Sequence, residues 1–179
     1  MHPVYKSGIW HTKLAFRFQI CSFQFTNKHL ALQTGASDYN SANKANPYVR
    51  MLLIQCYSGW RPNEVCKIKL ADIDLKNQVF VSGSKTEAGK NRQVPIHKNI
   101  LDFVTEQYNY SLSAGSEYLF PGYGHDNKIK PNEHITYGSY LRRFNMFKEK
   151  LGLSEEHHLH DGRTHFVTLA KKYELDEYA

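Results

Sequence analysis

Residues 46–75 read NPYVRMLLIQCYSGWRPNEVCKIKLADIDL, and this stretch contains the clearest signals of helix starts and ends in the chain. Asn46 is a favoured N-cap and Pro47 a favoured first helical residue, so the pair predicts that an α-helix begins here. The mostly apolar residues that follow continue the helix as far as Gly59, which can end it in a left-handed conformation. Pro62 then predicts a second, short helix. The residues expected to turn inward after it are Val65, Ile68 and Leu70.

The next stretch predicts a β-hairpin. Residues 78–82 and 92–96 are short runs with β-branched and aromatic side chains, and residues 84–91, SKTEAGKN, are rich in turn formers. Two strands separated by such a segment form a hairpin. Apolar residues at helical spacing return at 100–108 and at 137–151. The order of helices, a small antiparallel sheet and further helices predicts an α+β fold.

The two ends of the chain differ in how clearly they can be interpreted. A last helix is predicted to begin near Asp161, a suitable N-cap, and to bury Phe166, Leu169 and Tyr173. Residues 1–45 show no clear period, so a strand and a turn, or the remnant of an upstream module, both fit them. Their last part, which runs on to residue 46 as GASDYNSANKAN, indicates a loop or linker. We therefore separate an unassigned segment, 1–45, from a domain, 46–179.

Composition favours a polyanionic partner. The chain has 179 residues, with 23 Lys and Arg against 17 Asp and Glu, which gives a net charge of +6. Clustered cations attract phosphate backbones because binding releases counterions. A basic protein without such a partner would have the same composition, so charge alone leaves both interpretations open.

The three cysteines indicate a reducing compartment. Cys21, Cys56 and Cys66 form no C-x-x-C pair, so neither a disulfide framework nor a thiolate zinc site is predicted, and we expect reduced core residues. The sequence contains no apolar run near the roughly 20 residues that cross a bilayer. The N-terminus also lacks the apolar centre of a signal peptide. We expect a cytoplasmic protein without a membrane partner.

Basic residues at three separated places are candidates for chemistry. Arg61 lies between two predicted helices, with Glu64 three residues on, and a guanidinium fixed there could match two phosphate oxygens. A structural arginine bridging helix ends is the alternative. Lys85 lies in the predicted hairpin tip, where it could donate a proton to a leaving oxygen or simply be solvated. Lys90 in the same tip and Arg92 after it are candidate DNA contacts.

The third place is residues 157–166, HHLHDGRTHF. His160 and Arg163 are three residues apart at a helix start, so they share one face and can converge on a phosphate. His165 is a further candidate DNA contact. Four histidines within nine residues also raise the possibility of a metal site, but neither a cysteine nor a placed carboxylate joins them at zinc-site spacing. We expect no metal, and an exposed histidine cluster is the remaining alternative.

Three segments, in this order, resemble the catalytic domain of the tyrosine recombinases, the phage and transposon integrase family. They are GWRPNE at 59–64, SKTEAGKNR at 84–92 followed by VPIH at 94–97, and HDGR at 160–163. The resemblance covers about residues 45–179. It implies a mainly helical fold with a small three-stranded antiparallel sheet.

The resemblance also implies a reaction. Arg61 and Arg163 would bind the scissile phosphate of duplex DNA, Lys85 would act as general acid on the leaving 5′ oxygen, and His160 as general base or phosphate donor. Glu64 would hold the first arginine segment in place, as Asp161 would hold the second. The family conserves bond energy in a 3′-phosphotyrosyl ester, so no metal, ATP or other cofactor is implied. Protomers of the family associate on DNA, and we expect the same here.

The sequence departs from the family pattern at three points. Thr164-His165 follows the second arginine where the family has a His-Thr or Lys-Thr pair, and the N-terminal DNA clamp is missing or reduced to 1–45. By the resemblance, the nucleophilic tyrosine would lie beyond Ala179, with Tyr173 and Tyr178 as ordinary aromatic residues. Two hypotheses follow. One is a recombinase domain truncated before its nucleophile, inactive alone, and the other is a DNA-binding or protein-interaction remnant without chemistry.

Overall fold

The computed structural model describes residues 46–81, 92–150 and 152–172. The helices in these ranges are α1 (Pro47–Ser58), α2 (Pro62–Cys66), α3 (Lys98–Ser113), α4 (Tyr137–Lys150) and α5 (Asp161–Lys172). The strands are β1 (Ile73–Asp74), β2 (Val79–Val81), β3 (Gln93–Pro95), β4 (Pro121–Tyr123) and β5 (Ile129–His134).

Helix α1 is the centre of the domain. Its start is confirmed as predicted: the Asn46 side chain accepts a hydrogen bond from the Tyr48 N–H at 3.2 Å, and Pro47 is the first helical residue. It ends at Gly59, whose φ of 66° lies in the left-handed region and whose N–H donates to the Gln55 carbonyl at 3.0 Å. Every residue from Arg50 to Gln55 is buried, because the other four helices all contact α1.

The predicted antiparallel sheet is confirmed and has three strands in the order β1-β2-β3. Phe80 of β2 lies opposite Ile73 of β1 and Val94 of β3, and all three side chains are buried. The local sequence signals predicted the two hairpin strands, which correspond to β2 and β3, and did not indicate β1. The hairpin tip, with Lys85 and Lys90, lies outside the described residues.

A second, two-stranded sheet of β4 and β5 was not predicted. Its longer strand, IKPNEH, has no buried residue, so the alternation of apolar and polar side chains that marks a half-buried strand is missing. Helix α3 is also longer than the predicted 100–108. Its last turn holds the buried Ser111, whose hydroxyl donates to the Leu119 carbonyl at 2.7 Å. Tertiary contacts, rather than local preference, account for both differences.

Helix α5 begins at Asp161 as predicted, but its burial was predicted incorrectly. Phe166 and Leu169 are only half-buried, and Gly162 is the buried residue of this helix. The physical reason is that α5 packs against α1 mainly through its first turns, and the described residues do not enclose its other faces. Tyr173 and Tyr178 lie outside the described residues.

The prediction that the cysteines are core residues is confirmed for Cys66 and wrong for Cys56. Cys66 is buried, and burial raises the pKa of its thiol to about 12. Cys56 is only partly buried. It lies in the last turn of α1, near Gly162 in the first turn of α5. Cys21 lies outside the described residues. None of the described helices is long and apolar enough to cross a membrane.

Candidate functional site

Arg61 is held at the junction of α1 and α2. Its backbone is extended and precedes the first turn of α2. The Glu64 carboxylate accepts hydrogen bonds from the Arg61 backbone N–H at 2.8 Å and from Nη1 at 2.9 Å. The side chain of Arg61 nevertheless remains 46% exposed. Because a guanidinium has five N–H donors, Glu64 fixes the group and leaves donors for another ligand.

The start of α5 is held by Asp161. Its Oδ2 atom accepts a hydrogen bond from the His158 backbone N–H at 3.1 Å and lies 3.3 Å from Nδ1 of the buried His157. These contacts fix the turn that contains His160, which is exposed. The Thr164 N–H donates to the His160 carbonyl at 3.1 Å, so His160 directly precedes the first helical turn.

The two arginine segments meet at Gly59. Arg163 Nη1 donates a hydrogen bond to the Gly59 carbonyl, two residues before Arg61 and 104 residues away from Arg163 in sequence. Arg61, His160 and Arg163, which the sequence singled out at two distant places, therefore lie on segments that are in direct contact.

Two glycines allow this close approach. A Cβ atom on Gly59 would overlap the ring of Phe166, so that ring packs directly on the end of α1. A Cβ atom on Gly162 would lie 3.1 Å from Cys56 Sγ and 3.4 Å from Gln55 Nε2. A side chain at Gly59 would therefore require the Phe166 ring to move, and one at Gly162 would require Cys56 Sγ to give way by a few tenths of an ångström.

Arg92 joins the same region from the sheet. Its guanidinium carbon lies 5.7 Å from the centre of the Trp60 ring, a cation–π contact, and Arg92 itself is exposed. Trp60 is buried and packs edge-on against Phe80 at 6.0 Å between ring centres. The base of the predicted hairpin therefore lies beside the residue that precedes Arg61.

Sequence comparison identifies the family. The model of the phage integrase family matches residues 32–173. This chain belongs to the phage integrase family. A curated relative, a probable integrase/recombinase of Acholeplasma phage L2, is 27% identical over 139 residues, which are 77% of this chain and 44% of the relative.

Two solved structures, of a recombinase and of a transposon integrase, show the same fold. The XerA recombinase aligns with a TM-score of 0.59 at 17% identity, over 97% of this chain and 51% of that one. The Tn1549 transposon integrase, in complex with circular intermediate DNA, aligns with a TM-score of 0.61 at 15% identity, over 98% of this chain and 56% of that one. The chain thus spans about half the length of these relatives.

Within this phage integrase fold, the structure brings together some of the predicted site residues. Arg61, His160 and Arg163 lie on contacting segments, and Arg92 lies next to Trp60. His165 is half-buried, and its Nε2 atom is buried, so that atom does not face solvent. Lys85 and Lys90 lie outside the described residues. No three His, Cys, Asp or Glu side chains of the described ranges gather as a metal-binding group.

Proposed function

We propose that this chain takes part in DNA strand cleavage and rejoining, and that Arg61 and Arg163 bind one phosphate of duplex DNA. The observation that carries the proposal is the hydrogen bond from Arg163 to the Gly59 carbonyl. This bond holds Arg163 against the backbone two positions before Arg61. A phosphate offers oxygens to both guanidinium groups, and such charge-assisted hydrogen bonds are among the strongest in proteins.

The proposed chemistry is phosphoryl transfer through a phosphotyrosyl intermediate. A tyrosine hydroxyl gives its proton to a general base as its oxygen attacks the phosphorus, the bond to the 5′ oxygen breaks, and that oxygen takes a proton from a general acid. Rejoining reverses these steps with a 5′ hydroxyl as the nucleophile. Arg61 and Arg163 would stabilise the charge of the pentacoordinate transition state, where one lost donor typically costs ~10²–10³ in rate.

The other proposed roles follow from position and from the family resemblance. His160 is exposed on the turn that leads to Arg163, where it would act as general base or phosphate donor. Lys85 would be the general acid for the leaving 5′ oxygen. Lys90, Arg92 and His165 are proposed to contact DNA, and protomers are proposed to associate on it. No residue of the described ranges is assigned as the tyrosine nucleophile.

A DNA titration tests the phosphate site. The full chain and its Arg61→Ala and Arg163→Ala variants are titrated with a duplex of about two helical turns at several salt concentrations. The log of affinity should fall with log salt, and each substitution should reduce the slope by ~1, because one phosphate contact is lost. Lys128→Ala is the matched control, because Lys128 is 83% exposed, is paired with Asp126, and lies on the β4–β5 hairpin.

The outcomes separate the alternatives. Loss of affinity in both arginine variants, with no loss in the Lys128 control, supports a phosphate site. Equal losses in all three variants would mean that charge alone attracts the DNA. If neither arginine variant changed the binding of folded protein, Arg61 and Arg163 would not bind a phosphate, and the proposed function would be wrong.

A further inference from the structure

A single buried glutamine connects the two arginine segments. Gln55 is fully buried in the last turn of α1, at the end of the otherwise apolar stretch MLLIQC at 51–56. Its Nε2 donates a hydrogen bond to the Leu159 carbonyl at 2.6 Å, and its Oε1 accepts one from the Tyr140 hydroxyl at 3.2 Å. Because a carbonyl can only accept, Nε2 must face Leu159, and the amide has one allowed orientation.

The contacts of Gln55 form a closed circuit. Its backbone carbonyl accepts a hydrogen bond from the Gly59 N–H at 3.0 Å. The Gly59 carbonyl in turn accepts from Arg163, and Leu159, held by the Gln55 side chain, directly precedes His160. The segment before α2 and the segment before α5 are therefore both bonded to this one residue.

Tyr140 of α4 is the hydrogen-bond partner of the Gln55 amide oxygen. Its ring is fully buried, and burial raises the pKa of its hydroxyl well above the usual value, so the hydroxyl remains a donor at neutral pH. A buried amide that lost this partner would pay the full desolvation cost of its oxygen. The Leu159 carbonyl, which can only accept, selects the orientation of the amide, and the Tyr140 hydroxyl satisfies the amide oxygen in that orientation.

We infer that Gln55, hydrogen-bonded to Tyr140, is a positioning residue that sets the separation between Arg61 and the His160–Arg163 turn. It acts through Leu159 and Gly59 and makes no contact with DNA itself. The inference rests on the proposed function, because the separation matters only if the two arginines share one phosphate.

Two substitutions of Gln55 separate positioning from bulk packing. Gln55→Met keeps the length and the volume but removes the donor to the Leu159 carbonyl. Gln55→Glu keeps the shape but places a carboxylate oxygen against that carbonyl, and protonation at lower pH restores a donor. Ile100→Ala is the control, because Ile100 is a fully buried apolar residue of α3 whose loss destabilises the domain by packing alone.

The first measurement is duplex DNA affinity in a double-mutant cycle, with the full chain at fixed salt. Gln55→Met should weaken binding by about tenfold in the unchanged chain and add little in the Arg163→Ala background, because both act through the same group. Gln55→Glu should bind weakly at pH 8 and recover as pH falls. The inference would be overturned if Gln55→Met weakened DNA binding equally in both backgrounds. It would also be overturned if Gln55→Met weakened DNA binding no more than Ile100→Ala does, with each variant measured at the same interval below its melting temperature.

A second measurement needs no DNA and therefore separates this inference from the proposed function. The guanidinium protons of Arg163, observed by nitrogen-15 NMR of the full chain, should exchange slowly with water because Gly59 holds Nη1. In Gln55→Met this protection should be lost, whereas Ile100→Ala should keep it. Unchanged protection in Gln55→Met would overturn the positioning role whatever the DNA titrations show. Lost protection with DNA affinity that does not depend on Arg163 would sink the phosphate site and, with it, the inferred purpose of the positioning.

Discussion

Helix α1 carries two buried polar side chains, Arg50 and Gln55, that stabilise different parts of the molecule. Arg50 pairs with Glu106 at 2.7 Å and donates to Gln107 Oε1 at 3.2 Å, and both partners lie on α3. Gln55 bonds to Tyr140 and Leu159 instead. Five residues apart, the two side chains point about 140° apart around the helix. Hydrogen-bonded polar side chains on one buried helix therefore reach two different sides of the molecule.

The difference lies in where each network ends. The Arg50 network continues through Gln107, whose Nε2 donates to the Leu119 carbonyl at 2.9 Å, and it ends there, just before β4. Burial lowers the pKa of the Arg50 guanidinium, and Glu106 opposes that effect. The Gln55 network ends at the turn before His160. Loss of Arg50 should therefore cost stability, and loss of Gln55 should cost the geometry of the proposed site.

The largest expected effect is on stability, from Arg50→Ala. This substitution empties a buried volume and leaves Gln107 Oε1 without its donor, so the free energy of unfolding should fall by about 2–4 kcal/mol. Duplex DNA affinity of the remaining folded protein should change less than twofold. Urea titration measures the first quantity. A loss below about 1 kcal/mol would mean that the desolvation cost of Arg50 cancels its hydrogen bonds.

A smaller effect on stability, but one that reaches the site, is expected from Gly59→Ala. Alanine at a φ of 66° is strained, and its methyl group would overlap the Phe166 ring, so we expect a loss of about 2 kcal/mol together with weaker DNA binding. Phe166→Ala in the same chain should relieve the overlap but not the strain, so the double variant should recover part of the DNA affinity. No recovery would show that Phe166 does not transmit the displacement.

The smallest expected effect comes from Tyr140→Phe, about 1 kcal/mol at neutral pH, because one buried hydrogen bond is lost. Its pH dependence is more informative. Burial raises the pKa of the Tyr140 hydroxyl above its usual 10.0, so the folded state favours the protonated form. That stabilisation is complete below pH 10 and is lost as pH rises further. Cys66, raised from 9.0 to about 12, gives a loss of the same sign between those values.

Alkaline unfolding curves measure this prediction. The Tyr140→Phe variant should lose stability less steeply above pH 10 than the unchanged chain. Tyr137→Phe, an exposed tyrosine at the start of the same helix, is the control and should keep the steep loss. Identical slopes in all three proteins would mean that Tyr140 does not remain neutral in the folded state.

Local signals made much of this molecule predictable. Asn46-Pro47 and Gly59 determine the ends of α1 through their own backbone preferences, so the sequence alone located them. Short motifs were enough to single out Arg61 and Arg163 as candidate site residues. By contrast, the hydrogen bonds of Gln55 join it to residues 85 and 104 positions away, which no local pattern reveals. The only local signal was a glutamine inside an otherwise apolar stretch, which indicates a satisfied buried amide.

The half-buried apolar side chains of α5 show the opposite failure. Helical spacing of Phe166 and Leu169 predicted full burial, but periodicity reports which face is apolar and says nothing about how much of it is covered. Coverage depends on which elements pack there, and among the described residues α1 supplies most of it. The strands β4 and β5 were missed for a related reason. β4 is only the three residues Pro-Gly-Tyr, and β5 is mostly polar and has no buried residue, so neither strand carries a periodic signal.

Arg61 and Arg163 are proposed to bind the same phosphate. The most direct test follows the Nε–Hε signals of both arginines by nitrogen-15 NMR while a short duplex is added to the full chain at low salt. We predict that both signals shift with the same half-saturation concentration and that Arg163→Ala weakens the response of Arg61. A response from only one arginine, or two responses with different half-saturation concentrations, would contradict a shared phosphate.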